Sequence, residues 1–182
     1  MKPVTSPQQM DLTAGVAFAR VYPAIARHVV QKYGIAAGRC LDAGSGPGSM
    51  AIALASITDL KIASLDVDPE MTALADRNVA QAGLTERITT VTADVHDIPF
   101  EDDHFDLIVS RGSVFFWEDR PGALRELYRV LKPGGVIYCG GGMGSEEIRR
   151  AATALIRTDA RVRDRRGLWR ERNSKPQKES EA

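Results

Sequence analysis

The sequence predicts an α/β fold in which helices cover both faces of a mostly parallel sheet. Three observations carry this. Apolar runs at 39–42, 62–66, 88–93, 105–110 and from 136 onward read as strands, and stretches of helical periodicity separate most of them. The first run, Arg39-Cys40-Leu41-Asp42, passes straight into Ala43-Gly44-Ser45-Gly46-Pro47-Gly48. A strand-to-helix turn this tight needs positive φ or close backbone approach, which glycine supplies cheaply. The second run closes on an acid, Asp66, roughly 20 residues further along, the spacing of a βαβ unit that holds a nucleoside.

Each element has its own warrant. Residues 1–7 read as a proline-bearing leader. From Gln8 to Tyr33 the positions Leu12, Val16, Ala19, Ile25, Val29 and Val30 recur at helical spacing, and Pro23 divides the stretch into two short helices. Gly34 stops the second. The glycine turn leads into a helix reaching about Ile57. Pro69-Glu70-Met71 opens another, capped by Asp68 and stopped by Gly83. Residues 88–93 are rich in β-branched side chains, and the unbroken apolar run at 105–110 predicts a strand buried on both faces. Of Val114-Phe115-Phe116-Trp117, one or two wall a pocket and the others pack, since together they would form an exposed apolar patch. A helix over 121–131 sets Leu124, Leu127, Val130 and Leu131 on one face, and Lys132-Pro133-Gly134-Gly135 terminates it. Ser145 to about Thr158 reads as a further helix, and no sixth or seventh strand is evident.

The identity of the nucleoside turns on the glycine spacing. A dinucleotide site wants G-x-G-x-x-G with a pyrophosphate on the helix start. Here the glycines fall as Gly44-x-Gly46-x-Gly48, Ser49 fills the expected slot, and Asp42 stands immediately before the loop. That carboxylate would repel a pyrophosphate, whereas it suits a ligand carrying an ammonium and a sulfonium. In Leu41-Asp42-Ala43-Gly44-Ser45-Gly46-Pro47-Gly48 the chain resembles the class I S-adenosylmethionine-dependent methyltransferases. The likeness is to the small-molecule members, of methyltransferase type 11 and ubiquinone/menaquinone type. It extends through Asp94-Val95 with Pro99-Phe100, and through Leu127-Tyr128-Arg129-Val130-Leu131-Lys132-Pro133-Gly134-Gly135, covering about residues 39–142.

The resemblance implies a Rossmann-like, doubly wound sheet, here without the usual C-terminal antiparallel hairpin. It implies S-adenosylmethionine as cofactor and S-adenosylhomocysteine as product. Asp42, Ala43, Gly44, Ser45, Gly46 and Gly48 would line the cofactor, and Asp66 would bind both ribose hydroxyls. Val67 and Met71 would pack near the adenine. Asp94 would accept from its amino group, the Val95 backbone would meet the ring edge, and Ser110 would lie beside the methyl group. Residues 1–38 form a helical lid, 39–145 the cofactor-binding core, and 146–182 a C-terminal helix with a charged tail of disordered character. Phe18 and Tyr22, on the lid, either touch the ligand or pack.

Several chemistries are excluded. The Asn-or-Asp-Pro-Pro-aromatic motif of amino-directed nucleic-acid methyltransferases is absent, and neither Cys40 nor Cys139 is placed as a cytosine-C5 nucleophile. No acidic cluster or metal-ligand spacing appears. His96 and His104 read as non-catalytic, Glu101-Asp102-Asp103 as a solvated turn, and no catalytic residue is assigned. Arg111 either orients an anionic acceptor or forms a structural ion pair.

The chain has 182 residues, 24 basic against 24 acidic, so no global field favours nucleic acid or an anionic membrane. The N-terminus lacks the apolar core of a signal peptide, and no run suits a membrane span. Both cysteines fall in strands, as buried free thiols of a reducing cytoplasm. From Glu146 onward 11 basic and 7 acidic residues interleave, a solvated tail of net +4 (11 − 7), not an RNA-binding one. Either the chain is truncated or the fifth strand's edge is covered by other means; an uncovered edge invites pairing, so a homodimer is an expectation. The function expected is methyl transfer to a small-molecule acceptor. The alternative is a non-catalytic S-adenosylmethionine-binding or scaffolding protein of the same fold. A nicotinamide oxidoreductase fits poorly.

Overall fold

The structure, a computed structural model, describes residues 6–163. Five strands, β1 (Ala37–Ala43), β2 (Asp59–Asp66), β3 (Ile88–Thr92), β4 (Phe105–Arg111) and β5 (Leu131–Gly140), form one sheet in the order β3-β2-β1-β4-β5. Every pairing is parallel. The helices are α1 (Pro7–Val16), α2 (Val21–Tyr33), α3 (Ser49–Ala55), α4 (Pro69–Gln81), α5 (Arg120–Arg129), α6 (Glu146–Thr158) and the short α7 (Ala160–Arg163). Strand order reverses at β1, so the crevice above the carboxyl ends of β1 and β4 is the switch point where ligands bind in such sheets.

Side chains alternate across the sheet and fill two cores. Cys40, Leu60, Ile62, Leu107 and Val109 face one core, which α2, α3 and α4 close with Val21, Ile25, Val29, Met50, Leu54 and Val79. Leu41, Ala43, Ala63, Leu65 and Ile108 face the other, closed by Ala123 and Leu127 of α5 with Val95 and Ile98. No helix joins β3 to β4. Arg129 holds that connection instead, donating to the carbonyls of Ile98 (2.9 Å) and Phe100 (2.8 Å) and pairing with Glu126 (2.8 Å) and Asp102 (2.9 Å). Asp102 is therefore not the merely solvated turn residue expected.

Other expectations are corrected. The break between the first two helices falls at 17–20, and Pro23 sits in the first turn of α2, where its missing N–H is not needed. The first helix already begins at Pro7, capped by the Ser6 hydroxyl. Lys132-Pro133-Gly134-Gly135 lies within β5: partners shift from Phe105–Leu131 to Leu107–Val136, a bulge that accommodates Pro133. Leu124 is 44% exposed because Ala123 and Leu127 take the buried face of α5. Phe115 and Phe116, in a single 3₁₀ turn (Val114–Phe116), are 61% and 53% exposed. Cys40 is buried, but Cys139 is exposed on the edge strand. The tail from 164 onward lies outside the described residues. Among the described residues no sixth strand or antiparallel pairing occurs, so β3 and β5 are the sheet's edges.

Candidate active site

The glycine turn is fastened to the neighbouring strand. The amides of Gly44 and Ser45 both donate to the Leu65 carbonyl, at 2.8 and 2.9 Å. Gly44 has φ +69°, and a Cβ there would lie 2.4 Å from that of Ser113. Glycine is thus required twice over, by the backbone and by the neighbour. The Ser113 hydroxyl donates to the Ala43 carbonyl (3.0 Å) and meets the Ser110 hydroxyl at 2.6 Å. The tips of β1 and β4 are joined through it.

Asp66 ends β2 beside this turn. Its carboxylate takes the Gly46 N–H at 2.8 Å and the Asp68 N–H at 3.0 Å. Burial raises its pKa, and those N–H donors oppose the shift. Asp68 caps α4, accepting from the Glu70 amide at 2.9 Å. Asp42 is placed differently from expectation. It is 1% exposed, and its carboxylate accepts the Ala51 N–H at 3.1 Å. Ala51 lies in the first turn of α3, and its Gly48 cap has no side chain, so Asp42 satisfies a helix-start amide from behind the loop. Burial, opposed by the Ala51 hydrogen bond and aided to a smaller extent by the nearby Asp66, pushes its pKa up to about 7.

Asp94 and His96 form a pair. The Asp94 carboxylate accepts the His96 backbone amide (2.9 Å) and meets Nδ1 at 2.5 Å, while Nε2 meets the Asp119 carbonyl at 3.0 Å. The His96 amide and ring hold the Asp94 carboxyl below its usual range, and the Asp94 hydrogen bond raises the imidazole. Such a histidine is a bridge between loops and a poor general base. Of the remaining expected residues, Met71, Val95 and Ser110 are buried, whereas Val67 is 64% exposed.

Helix α1 covers the turn. A Cβ on Gly46 would lie 3.8 Å from Met10 Sδ, and Asn78 of α4 donates to both Asp11 (2.8 Å) and the Pro47 carbonyl (3.0 Å). Arg111 lies over the rings of Phe18 (4.3 Å) and Tyr22 (5.3 Å) and donates to the Gly142 carbonyl at 3.3 Å. The two aromatics therefore pack on Arg111, and among the described residues it makes no ion pair. Sequence reasoning placed Ser113 at the β4 tip beside Ser110, and it missed Met10, Asp11 and Asn78. An open groove between Ile35 and Lys132 lies at the amino-terminal ends of β1, β4 and β5, the opposite end of the strands from these acids, and its Asp106–Lys132 pair (2.8 Å) is already made.

The site suits a cationic nucleoside better than a phosphate. Two carboxylates bracket the turn, Asp66 keeps acceptor capacity beyond its two N–H donors, and the buried Ser45 hydroxyl has no partner. A family model described as "methyltransferase domain" matches residues 41–139, more than half the chain. The chain belongs to the methyltransferase domain family. Its class is that of the S-adenosylmethionine-dependent methyltransferases with a Rossmann-like sheet. This methyltransferase domain is 40% identical over 100 residues to the ubiquinone/menaquinone biosynthesis C-methyltransferase of Geotalea daltonii, covering 54% of this chain and 43% of that one. It is 33% identical over 119 residues to sterol 24-C-methyltransferase of Aspergillus fumigatus, covering 63% of this chain and 32% of that one. The crystal structure of a proposed S-adenosyl-L-methionine-dependent methyltransferase from Methanococcus maripaludis matches with a TM-score of 0.82. Identity to it is 42%, over 95% of this chain and 85% of that one. The chain spans less than half the length of the curated relatives it matches.

Proposed function

We propose that this chain binds S-adenosylmethionine and directs its methyl group to a small-molecule acceptor, releasing S-adenosylhomocysteine. The observation that carries the reading is the pair of carboxylates, Asp42 and Asp66, flanking a turn of positive-φ glycines at neighbouring strand ends. Asp66 is fixed by two amides and presents its remaining lone pairs as acceptors for vicinal ribose hydroxyls. The backbone around Gly44 to Gly48, with the Ser45 hydroxyl, would hold the amino-acid end, and Asp42 would favour its positive charge from below. Val67, Met71, Asp94 and Val95 would surround the adenine.

When bound, S-adenosylmethionine supplies a methyl group already made electrophilic by its sulfonium. The residues' share is therefore alignment, which supplies ~7–11 kcal/mol of a barrier in favourable cases. The β4 tip, with Ser110 and Ser113, would set one wall of the reacting space, and Arg111 with Phe18 another. No base is assigned. The C-methyltransferase names of the curated relatives support a carbon nucleophile on the acceptor. Within residues 1–38, helices α1 and α2 would act as the lid. A cytoplasmic location is part of the same reading; among the described residues no helix is long and apolar enough to cross a membrane.

Titration calorimetry with S-adenosylhomocysteine and with NAD is the direct test: the first should bind and the second should not. Asp66→Ala should lose about 1.5–3 kcal/mol of S-adenosylhomocysteine binding through lost charged hydrogen bonds, or roughly 10- to 150-fold in affinity. Unchanged affinity would remove Asp66 from the site. Binding without product over a panel of phenol, quinol, amine and thiol acceptors would favour the non-catalytic alternative.

A further inference from the structure

We propose that Asn78 is a positioning residue that ties the glycine turn to the lid, so that the cofactor site is shaped and covered in one step. The proposal rests on the reading of that turn as the S-adenosylmethionine site. Asn78 lies in α4, whose first turn follows Asp66, and its side chain reaches back under the turn. One carboxamide nitrogen donates to the Pro47 carbonyl at 3.0 Å and to Asp11 of α1 at 2.8 Å. Pro47 stands between Gly46 and Gly48, two residues at φ +55° and +79°, so its carbonyl direction reports the shape of the whole turn.

Asp11 adjoins Met10, whose sulfur sits over the Gly46 position, within van der Waals reach of where a Cβ would stand. The far side of α1 is held as well: Gln9 donates to the Arg161 carbonyl at 2.6 Å, beside the fully buried Val162 of α7. A ligand entering or leaving the turn must displace Met10 and with it α1. The Asn78–Asp11 bond is the polar contact that such a motion breaks on the α4 side.

Residue chemistry makes asparagine specific here. A primary amide offers two N–H donors on one nitrogen, one for each acceptor. Aspartate offers none and would face both a carboxylate and a carbonyl. Exchanging the two residues restores the lid contact in reverse, with an asparagine at 11 donating to a carboxylate at 78, and leaves the net charge as in the wild type. It does not restore the bond to Pro47.

The experiment measures S-adenosylhomocysteine affinity by calorimetry and its release rate by stopped-flow fluorescence, with thermal midpoints as the control for folding. Asp11→Ala and Asn78→Asp should each weaken binding by tenfold or more, mainly through faster release. The Asp11→Asn/Asn78→Asp double variant should regain at least half of the logarithmic loss of Asn78→Asp alone, an outcome that simple destabilisation does not produce. If Asn78→Asp does not fold, Asp11→Ala decides, since it removes only the lid end of the link. Wild-type affinity and release in the single variants, or no recovery in the double variant, overturns the proposal while leaving the cofactor reading intact. Failure of the wild type to bind S-adenosylhomocysteine overturns both.

Discussion

Asp42 shows how one buried carboxylate makes stability depend on pH. It ionises near pH 4 in an unfolded chain but only near about 7 in the folded one, chiefly because burial disfavours its charge. Between those values the folded chain holds the proton that the unfolded chain has lost. Stability therefore falls as pH rises through this window and is flat above it, a full difference on the order of 4 kcal/mol. Asp42→Asn keeps an acceptor for the Ala51 amide and has no charge to bury. From pH 5 to pH 8 the wild type should thus lose roughly 2–3 kcal/mol more stability than the variant, by urea unfolding at each pH. Parallel pH profiles would show that Asp42 titrates normally. At this scale the acids were legible because Asp42 and Asp66 sit at fixed places around a glycine turn. The contacts of Ser113 and Asn78 were not, because they cross between elements and leave no period in the sequence. The burial of Asp42 was likewise hidden, since the same letter serves a ligand and a helix start.

Among the elements, the connection from β3 to β4 departs most from a helix-for-every-strand pattern. It is an irregular loop that a single arginine organises. Arg129 bonds two loop carbonyls and two carboxylates, and Glu126 in turn accepts the Ile98 amide at 3.1 Å. Arg129 holds the Glu126 carboxyl below its usual range. With the Arg129 and Glu126 side chains 32% and 22% exposed, solvent screens the network only in part. Arg129→Met should cost about 1–3 kcal/mol, since it strands a carboxylate and two carbonyls. Lysine at this position should recover less than half, lacking the planar fork. Urea midpoints and exchange protection of the Ile98 amide read both effects, and unchanged values would make the network ornamental. The string from Leu127 to Gly135 was legible as architecture without chemistry, which suits this role. That it bends into a bulged strand was not, because Pro133 and two glycines read equally well as a helix stop.

At the scale of the whole molecule, no strand among the described residues pairs with the outer edge of β5. The sequence left open which of Val114 to Trp117 pack and which wall a pocket; Phe115 is exposed, with its ring beside Gly141 just beyond the end of β5. A sequence shows that a side chain is apolar; it does not show whether a second layer exists to cover it. Buried backbone N–H and C=O groups are nearly all paired in a folded protein, and an exposed ladder of such groups is a template for another strand. Here the bulge at 131–136 twists the first half of β5, leaving 136–140 as the straight part of that edge. So short an edge buries far less than the ~1,600 Å² of a stable interface. Self-association should accordingly be weak, with the sedimentation coefficient of the chain rising only toward high micromolar concentration. Saturating S-adenosylhomocysteine should leave that rise in place, because the edge of β5 is distinct from the turn between β1 and α3. A single monomer boundary at every concentration would show that the edge is guarded without a partner. A coefficient that falls on adding S-adenosylhomocysteine would instead couple the edge to the site, through the β4 tip that lies between them.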